Sequence, residues 1–121
     1  MTLEVLAVDD SRTMRNMIRL ALETEGFVVH TADDGVHGTE VLADINPDVI
    51  ITDINMPRMD GFGFIDEVRA QDSHRSTPIL VLTTESAGEL KNRARQAGAT
   101  GWIVKPFDPA KLVKALRMVA G

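Results

Sequence analysis

Five short runs of apolar, mostly β-branched residues alternate along the chain with longer segments in which apolar residues recur every three or four positions. The short runs cover residues 5–8, 27–29, 49–51, 79–82 and 102–104. Continuous apolar runs of this length are typical of strands that are buried on both faces of a sheet. The pattern therefore predicts five strands, each followed by a helix.

The segments between the runs have the period of amphipathic helices. Four of them place apolar residues on one face: Met14, Ile18, Ala21 and Leu22; Gly38, Val41, Leu42 and Ile45; Phe64, Ile65 and Val68; Leu112, Leu116, Val119 and Ala120. Asp10 or Ser11 can open the first helix, and Pro109 falls in the first turn of the fifth. Five β-then-α units predict an α/β fold, with a parallel sheet and helices on both of its faces.

The fourth helix, predicted over residues 87–97, has the weakest apolar face. Its inward positions are Ala87, Leu90, Ala94 and Ala97, and three of these four side chains bury little apolar area. We therefore expect this helix to be held more loosely than the others.

Length and composition indicate one globular domain over residues 1–121, with 44% hydrophobic and 26% charged residues. The 13 basic and 18 acidic residues give a net charge of −5, which argues against nucleic-acid binding. The absence of cysteine excludes disulfides, thiolate catalysis and cysteine-based zinc sites. No apolar run approaches the roughly 20 residues of a membrane span, and no signal peptide precedes the first strand. We expect a cytoplasmic protein with no membrane insertion.

Polar residues follow four of the five predicted strands. Asp9 and Asp10 follow the first strand, Asp53 follows the third, Thr83 follows the fourth and Lys105 follows the fifth. Because the carboxyl ends of parallel strands meet at one edge of a sheet, we expect these side chains to converge there.

The converging side chains suit phosphoryl chemistry at a divalent cation. Clustered carboxylates repel one another unless a cation neutralises them, and hard oxygen ligands favour Mg²⁺ over zinc. A carboxylate can act as the nucleophile while the cation and a lysine neutralise phosphoryl oxygens. Taken alone, Asp9 and Asp10 are equally consistent with an acidic helix start. The polar residues at the neighbouring strand ends favour the site.

Four motifs occur in order at these strand ends: V-D-D-S from Val8, D-I-N-M-P-R-M-D-G from Asp53, L-T-T-E from Leu82 and K-P-F from Lys105. Together they resemble the receiver domain of two-component response regulators over about residues 3–120, and within that family the stand-alone chemotaxis regulators. The resemblance implies a flavodoxin-like fold, in which five helices cover a five-stranded parallel sheet of order 2-1-3-4-5.

The resemblance also implies the metal ligands. Asp10 and Asp53 would bind Mg²⁺ directly, and Asp9 would act mainly through water. The backbone carbonyl of Asn55 would complete the ligands that the protein provides.

The resemblance also implies which residues contact the phosphoryl group. Asp53 would accept it from a phosphohistidine of a histidine kinase, Lys105 would contact it, and Thr83 would turn inward to hydrogen-bond it. The peptide bond between Lys105 and Pro106 would be cis.

Two further roles follow from the resemblance. Trp102 stands where many chemotaxis regulators of this family carry a tyrosine; it would lie outward in the resting form and move inward with Thr83. Asn55 and Glu85 would flank the path of the attacking water and tune the rate of dephosphorylation, and Thr84, larger than the residue often found there, would slow it.

The expected function is a monomeric phosphorylation-dependent switch and not an enzyme, although it would assist its own phosphorylation and dephosphorylation. The fourth helix, fifth strand and fifth helix would bind an output protein, such as a flagellar motor switch component. Met1 and Gly121 at the two ends favour a complete protein over a receiver cut from a larger regulator.

Alternative functions are a phosphorelay intermediate, a phosphate sink and a small magnesium-dependent aspartyl-phosphate phosphatase. The phosphatase is disfavoured because Asn55 stands where such enzymes carry a second aspartate. A flavin carrier is disfavoured because Asp9 and Asp10 would repel the flavin phosphate.

Overall fold

The computed structural model describes residues 2–120, so Met1 and Gly121 lie outside the described residues. Its strands are β1 (Glu4–Val8), β2 (Val28–Ala32), β3 (Val49–Thr52), β4 (Ile79–Thr83) and β5 (Gly101–Val104). Its helices are α1 (Arg12–Glu23), α2 (Gly35–Leu42), α3 (Gly61–Arg69), α4 (Gly88–Ala97) and α5 (Pro109–Ala120), with a 3₁₀ turn at Asp72–His74. All strand pairs are parallel, and the sheet order is β2-β1-β3-β4-β5. The predicted fold class is confirmed.

The parallel register aligns the carboxyl ends of the central strands. Val8 of β1 pairs with Thr52 of β3, so the residues that follow them, Asp9 and Asp53, leave the sheet side by side. The backbone N–H of Asp53 donates to the carbonyl of Val8 at 2.9 Å. Strand pairing alone therefore brings together two carboxylates that lie far apart in sequence.

Two apolar cores lie on opposite faces of the sheet. One packs α1 and α5 against the sheet through buried side chains such as Ile18, Leu22 and Leu116. The other packs α2, α3 and α4 against it, with Phe64 and Ile65 fully buried. Each large apolar side chain contributes about 1.5–3 kcal/mol when it is buried. These cores hold in place the strands whose ends carry the candidate site residues.

Side-chain caps fix where the helices begin. Of the two candidates for the start of α1, Ser11 is the cap, and its Oγ accepts the N–H of Met14 at 3.2 Å. Asp34 and Asp60 cap α2 and α3 in the same way. Helix α4 is capped at its C-terminal end by Gly98, which adopts a left-handed backbone with φ +114°.

Three residues that the sequence predicted to lie within an element lie outside it. Phe27 lies outside β2, because its N–H donates to the Leu22 carbonyl in the turn that ends α1, while its side chain stays buried. Ile45 lies beyond the end of α2, since the helix ends at Leu42 with Ala43 as its C-cap. Ala87 precedes α4 as its N-cap and does not lie inside the helix.

In residues 2–120, no helix has both the length and the apolar character needed to cross a membrane.

The weak packing of α4 predicts that this helix is less stable than α1. Only Ala94 of this helix is buried, whereas α1 buries Ile18 and Leu22. We expect native-state hydrogen exchange to be at least about tenfold faster in α4 than in α1, corresponding to about 1.4 kcal/mol. Equal protection of the two helices in an exchange experiment would contradict this packing argument.

Candidate functional site

Three aspartates lie together where β1 and β3 end. One carboxylate oxygen from each of Asp9, Asp10 and Asp53 lies within 4.8 Å of the other two. Asp9 and Asp53 are buried and Asp10 is exposed, so the cluster opens to solvent on one side. The structure thus brings together the three carboxylates that the sequence placed at one sheet edge.

Lys105 joins the two buried carboxylates. Its Nζ donates to Oδ2 of Asp9 and to Oδ2 of Asp53, each at 2.7 Å, and its side chain is 9% exposed. The cis peptide bond between Lys105 and Pro106 is present as predicted. One ammonium among three carboxylates leaves the cluster with net negative charge.

Burial and pairing act in opposite directions on these groups. Burial raises the pKa of Asp9, and hydrogen bonds from Lys105 and from the Ser11 N–H only partly offset it. Burial alone would lower the pKa of Lys105, but its bonds to Asp53 and Asp9 outweigh burial and raise that pKa. The ammonium is therefore firmly charged, while the charge on Asp9 is disfavoured by folding.

This donor set fits a hard divalent cation. Carboxylate oxygens within a few ångströms of one another, exposed on one side through Asp10, are the ligands that Mg²⁺ takes in proteins. Asn55 follows Asp53 by two residues, so its backbone carbonyl belongs to the same loop. The residues that the sequence predicted as metal ligands therefore lie in the same part of the structure.

The loop after β4 closes the other side of the site. Asn55 Nδ2 donates to Oε1 of Glu85 at 3.1 Å, which links the loops after β3 and β4. Thr83 is buried at the end of β4, and its Oγ1 lies 3.5 Å from the Glu85 N–H. Thr84 is exposed. Asn55 and Glu85, both predicted to tune dephosphorylation, are thus in direct contact.

Trp102 lies on β5 and contacts the loop after β4. The indole is half-buried, and its Nε1 donates to the backbone carbonyl of Glu85 at 2.9 Å. An indole N–H that leaves water needs an acceptor, and the Glu85 carbonyl provides it. This hydrogen bond ties β5 to the loop after β4, which carries Glu85 and begins directly after Thr83.

The sequence analysis missed a second ion pair beside the site. Arg58, in the loop after β3, makes two hydrogen bonds to the carboxylate of Asp34, at 2.6 and 3.1 Å. The position of Asp34 before a helix marks it as a capping residue. No sequence signal connects it to an arginine 24 positions away.

Comparison with known proteins agrees with this geometry. Residues 5–117 match the sequence profile of the family described as response regulator receiver domain. The chain therefore belongs to the receiver domains of two-component response regulators, a family of signalling domains.

Individual relatives and solved structures show which members of this family the chain is similar to. The chain is 41% identical to chemotaxis protein CheY1 of Helicobacter pylori over 98% of both chains. It is also similar to the structure of Vibrio cholerae chemotaxis protein CheY4, with 46% identity, a TM-score of 0.95, and coverage of 98% of this chain and 99% of that one. Chemotaxis response regulators are thus among its full-length relatives.

Two other matches are to proteins outside the chemotaxis relatives. The chain is 36% identical to regulatory protein AtoC of Escherichia coli over 86% of its own length, but spans only 22% of that relative. The receiver domain of a sensor histidine kinase from Pseudomonas aeruginosa, solved with magnesium in its active site cleft, has a TM-score of 0.92 and 29% identity. That match covers 100% of this chain and 99% of the other.

The raised pKa of Asp9 predicts a stabilising substitution. Because the folded protein disfavours the charged form of Asp9, Asp9→Asn should raise the free energy of unfolding at neutral pH in the absence of Mg²⁺. This advantage should shrink as the pH falls through the raised pKa, where wild-type Asp9 becomes protonated. Urea unfolding at several pH values measures both effects.

Asp66→Asn is the matched control, since Asp66 is exposed on α3. It should leave the free energy of unfolding nearly unchanged across the same pH range. If Asp9→Asn destabilises the protein at neutral pH, the hydrogen bonds of Asp9 outweigh the effect of its burial and the argument is wrong.

Proposed function

We propose that the protein is a monomeric, cytoplasmic response regulator, with residues 1–121 forming a single receiver domain. It accepts a phosphoryl group on Asp53 from a histidine kinase and passes the signal to a partner protein. The observation that carries this proposal is the Lys105 ammonium, which bridges Asp9 and Asp53 at 2.7 Å within a cluster of three carboxylates. Similarity to full-length chemotaxis proteins supports a flagellar motor switch component as the partner.

The proposed reaction transfers the phosphoryl group from nitrogen to oxygen. A carboxylate oxygen of Asp53 attacks phosphorus, the bond from phosphorus to the imidazole nitrogen breaks, and the histidine retains that electron pair. Lys105 is already beside Asp53 and neutralises charge on the phosphoryl oxygens. The protein thus assists the transfer, while the kinase supplies the activated group.

Mg²⁺ would supply further positive charge to the phosphoryl oxygens when it is bound. Asp10 and Asp53 would hold it directly, Asp9 mainly through water, and Asn55 through its backbone carbonyl. The exposed position of Asp10 and the mutual approach of the three carboxylates support this assignment.

Hydrolysis of the acyl phosphate returns the protein to its resting form. The contact between Asn55 and Glu85 lies at the border of the site, where both side chains can restrict an attacking water. Thr84 is exposed between Thr83 and Glu85. These three residues are proposed to tune the lifetime of the phosphoryl group.

The output surface is proposed to consist of α4, β5 and α5. Phosphorylation adds nearly two negative charges and three acceptor oxygens beside Thr83, whose hydroxyl can turn towards them. Trp102 is bonded to the same loop and lines a groove of about 210 Å³ together with Lys91 and Arg95. Two cations beside an aromatic ring suit an acidic partner peptide.

Phosphorylation is tested by labelling with a small acyl phosphate in the presence of Mg²⁺. Asp53→Asn keeps the shape of the side chain but removes the nucleophile, so we expect complete loss of labelling. Chelation of Mg²⁺ should also abolish labelling, and Asp10→Ala should have the same effect. Mass spectrometry of the intact protein measures the added phosphoryl group.

Asp60→Asn provides the control for this experiment. Asp60 caps α3 through its Oδ1, and asparagine can make the same cap, so labelling should match the wild type. Labelling of Asp53→Asn at the wild-type level would reject Asp53 as the acceptor, and full labelling in excess chelator would reject the role of Mg²⁺.

Trp102 is the only tryptophan and can report the switch. On phosphorylation we expect its emission to shift to shorter wavelength, because the half-buried indole moves further into apolar surroundings as Thr83 turns. Thr83→Ala should be labelled like the wild type but show no shift, since it lacks the hydroxyl that senses the phosphoryl group. Steady-state fluorescence with Mg²⁺ and an acyl phosphate measures this.

Thr84→Ala removes a hydroxyl from the exposed neighbouring position and should retain the shift. Asp53→Asn should show none, because it cannot be labelled. A wild-type spectrum that stays fixed while labelling is complete would exclude Trp102 from the switch.

A further inference from the structure

An ion pair ties the loop after β3 to the start of α2. This loop, residues 53–60, carries both Asp53 and Asn55 and is called the β3–α3 loop below. Arg58 Nε donates to Oδ2 of Asp34 at 2.6 Å, and Arg58 Nη2 donates to Oδ1 at 3.1 Å. The side chain of Asp34 is 7% exposed. Two parallel bonds between a guanidinium and a shielded carboxylate define the orientation of both groups.

The ion pair involves a residue whose backbone conformation is disfavoured. Arg58 has φ +64°, and no other non-glycine residue among positions 2–120 has a positive φ. Left-handed backbone is disfavoured for residues with a β-carbon, so interactions around the residue must hold it there. The bonds to Asp34 are interactions of this kind.

Backbone contacts beside the pair join the same two elements. The N–H of Gly35 donates to the carbonyl of Met59 at 3.1 Å. A β-carbon at Gly35 would lie 2.6 Å from that carbonyl oxygen, so only glycine permits this approach. The start of α2 is therefore fitted closely to the β3–α3 loop at Met59, next to the Arg58–Asp34 pair.

The shape of the loop at Arg58 is transmitted to the site residues. The N–H of Gly61 donates to the carbonyl of Ile54 at 2.8 Å, which closes the loop on itself. The N–H of Ile54 donates to Oδ1 of Asp53 at 2.6 Å and so orients that carboxylate. On the far side, Asn55 is held by Glu85. A change at Arg58 therefore alters a closed loop that contains two of the proposed metal ligands.

We propose that Arg58 is a positioning residue for divalent cation binding, and that its ion pair with Asp34 holds the β3–α3 loop in the shape that presents Asp53 and the Asn55 carbonyl. This inference rests on the proposed function, since it assumes the Mg²⁺ site of Asp10, Asp53 and Asn55. Arg58 itself contacts no metal; it acts through the loop.

The direction in which Mg²⁺ affinity changes when Arg58 is replaced distinguishes a positioning role from a purely electrostatic one. Removing a positive charge near an acidic cluster makes the cluster more negative, so Coulomb attraction alone predicts tighter Mg²⁺ binding. Loss of the loop geometry predicts weaker binding. Residues that orient metal ligands from outside the ligand set typically contribute about tenfold or more to affinity.

The main test variant is Arg58→Asn. Asparagine tolerates left-handed backbone, so this substitution removes the guanidinium without adding backbone strain. Mg²⁺ titrations followed by amide chemical shifts give the dissociation constant in wild type and variant. We expect Arg58→Asn to bind Mg²⁺ about tenfold more weakly.

Two further variants establish that Asp34 is the partner. Asp34→Asn keeps an acceptor for the N–H of His37 at the start of α2 but removes the charge. It should weaken Mg²⁺ binding to a similar extent. The double variant should be no weaker than either single variant, because the ion pair can be broken only once.

The matched control is Arg75→Asn, which breaks an exposed arginine–aspartate pair with Asp72 at 2.8 Å. It removes the same charge from the protein and should leave the dissociation constant within about twofold of wild type, since exposed pairs contribute little. Circular dichroism should show that every variant is folded at the titration temperature.

Each outcome decides the proposal. Weaker binding by Arg58→Asn and Asp34→Asn, without further loss in the double variant, supports it. Unchanged or tighter binding by Arg58→Asn, beside a wild type that binds normally, overturns the positioning role and leaves the proposed function intact. Failure of the wild type to bind Mg²⁺ overturns both.

Discussion

The ammonium of Lys105 lies between two buried carboxylates, and the arrangement of the sheet edge depends on that contact. Without a cation, Asp9 and Asp53 would be like charges brought together by strand pairing at a place shielded from water. Removal of the Lys105 ammonium would leave both carboxylates uncompensated, and breaking a buried ion pair in this way typically destabilises a protein by about 3–5 kcal/mol. Lys105 reduces that repulsion but does not neutralise it. The remaining negative charge favours the binding of a second cation at the same cluster.

Two loops hold this charged cluster from opposite sides. The β3–α3 loop is tied to α2 by Arg58 and Asp34, and to the loop after β4 by Asn55 and Glu85. Trp102 extends this chain of contacts to the edge strand β5 through the Glu85 carbonyl. A change in charge at Asp53 is therefore adjacent to both loops. Of these two loops, only the loop after β4 leads towards α4 and β5.

Sequence reasoning succeeded where one local rule determines the result. Short apolar runs predicted the strands, and the rule that parallel strands share an edge predicted that Asp9, Asp53 and Lys105 would meet. The strand order and the residue roles needed the family resemblance, because periodicity does not specify which strands are neighbours. The Arg58–Asp34 pair and the bond from Trp102 to the Glu85 carbonyl could not be predicted. Both depend on side-chain directions in loops, which neither hydrophobic pattern nor capping preference determines.

The loose packing of α4 has a physical connection to the proposed signal. Its C-terminal end is fixed by Arg69, whose guanidinium donates to the Gly98 carbonyl at 2.7 and 3.2 Å. The loop at its N-terminal end is held by Glu85 and Trp102, whose contacts lie beside the proposed phosphoryl acceptor, Asp53. A phosphoryl group can shift a conformational equilibrium only by the difference in its interaction energy with the two states. A helix that buries only Ala94 needs a smaller difference than a well-packed helix would. The small buried face of α4 therefore suits a helix that converts a local change in charge into a change of the protein surface.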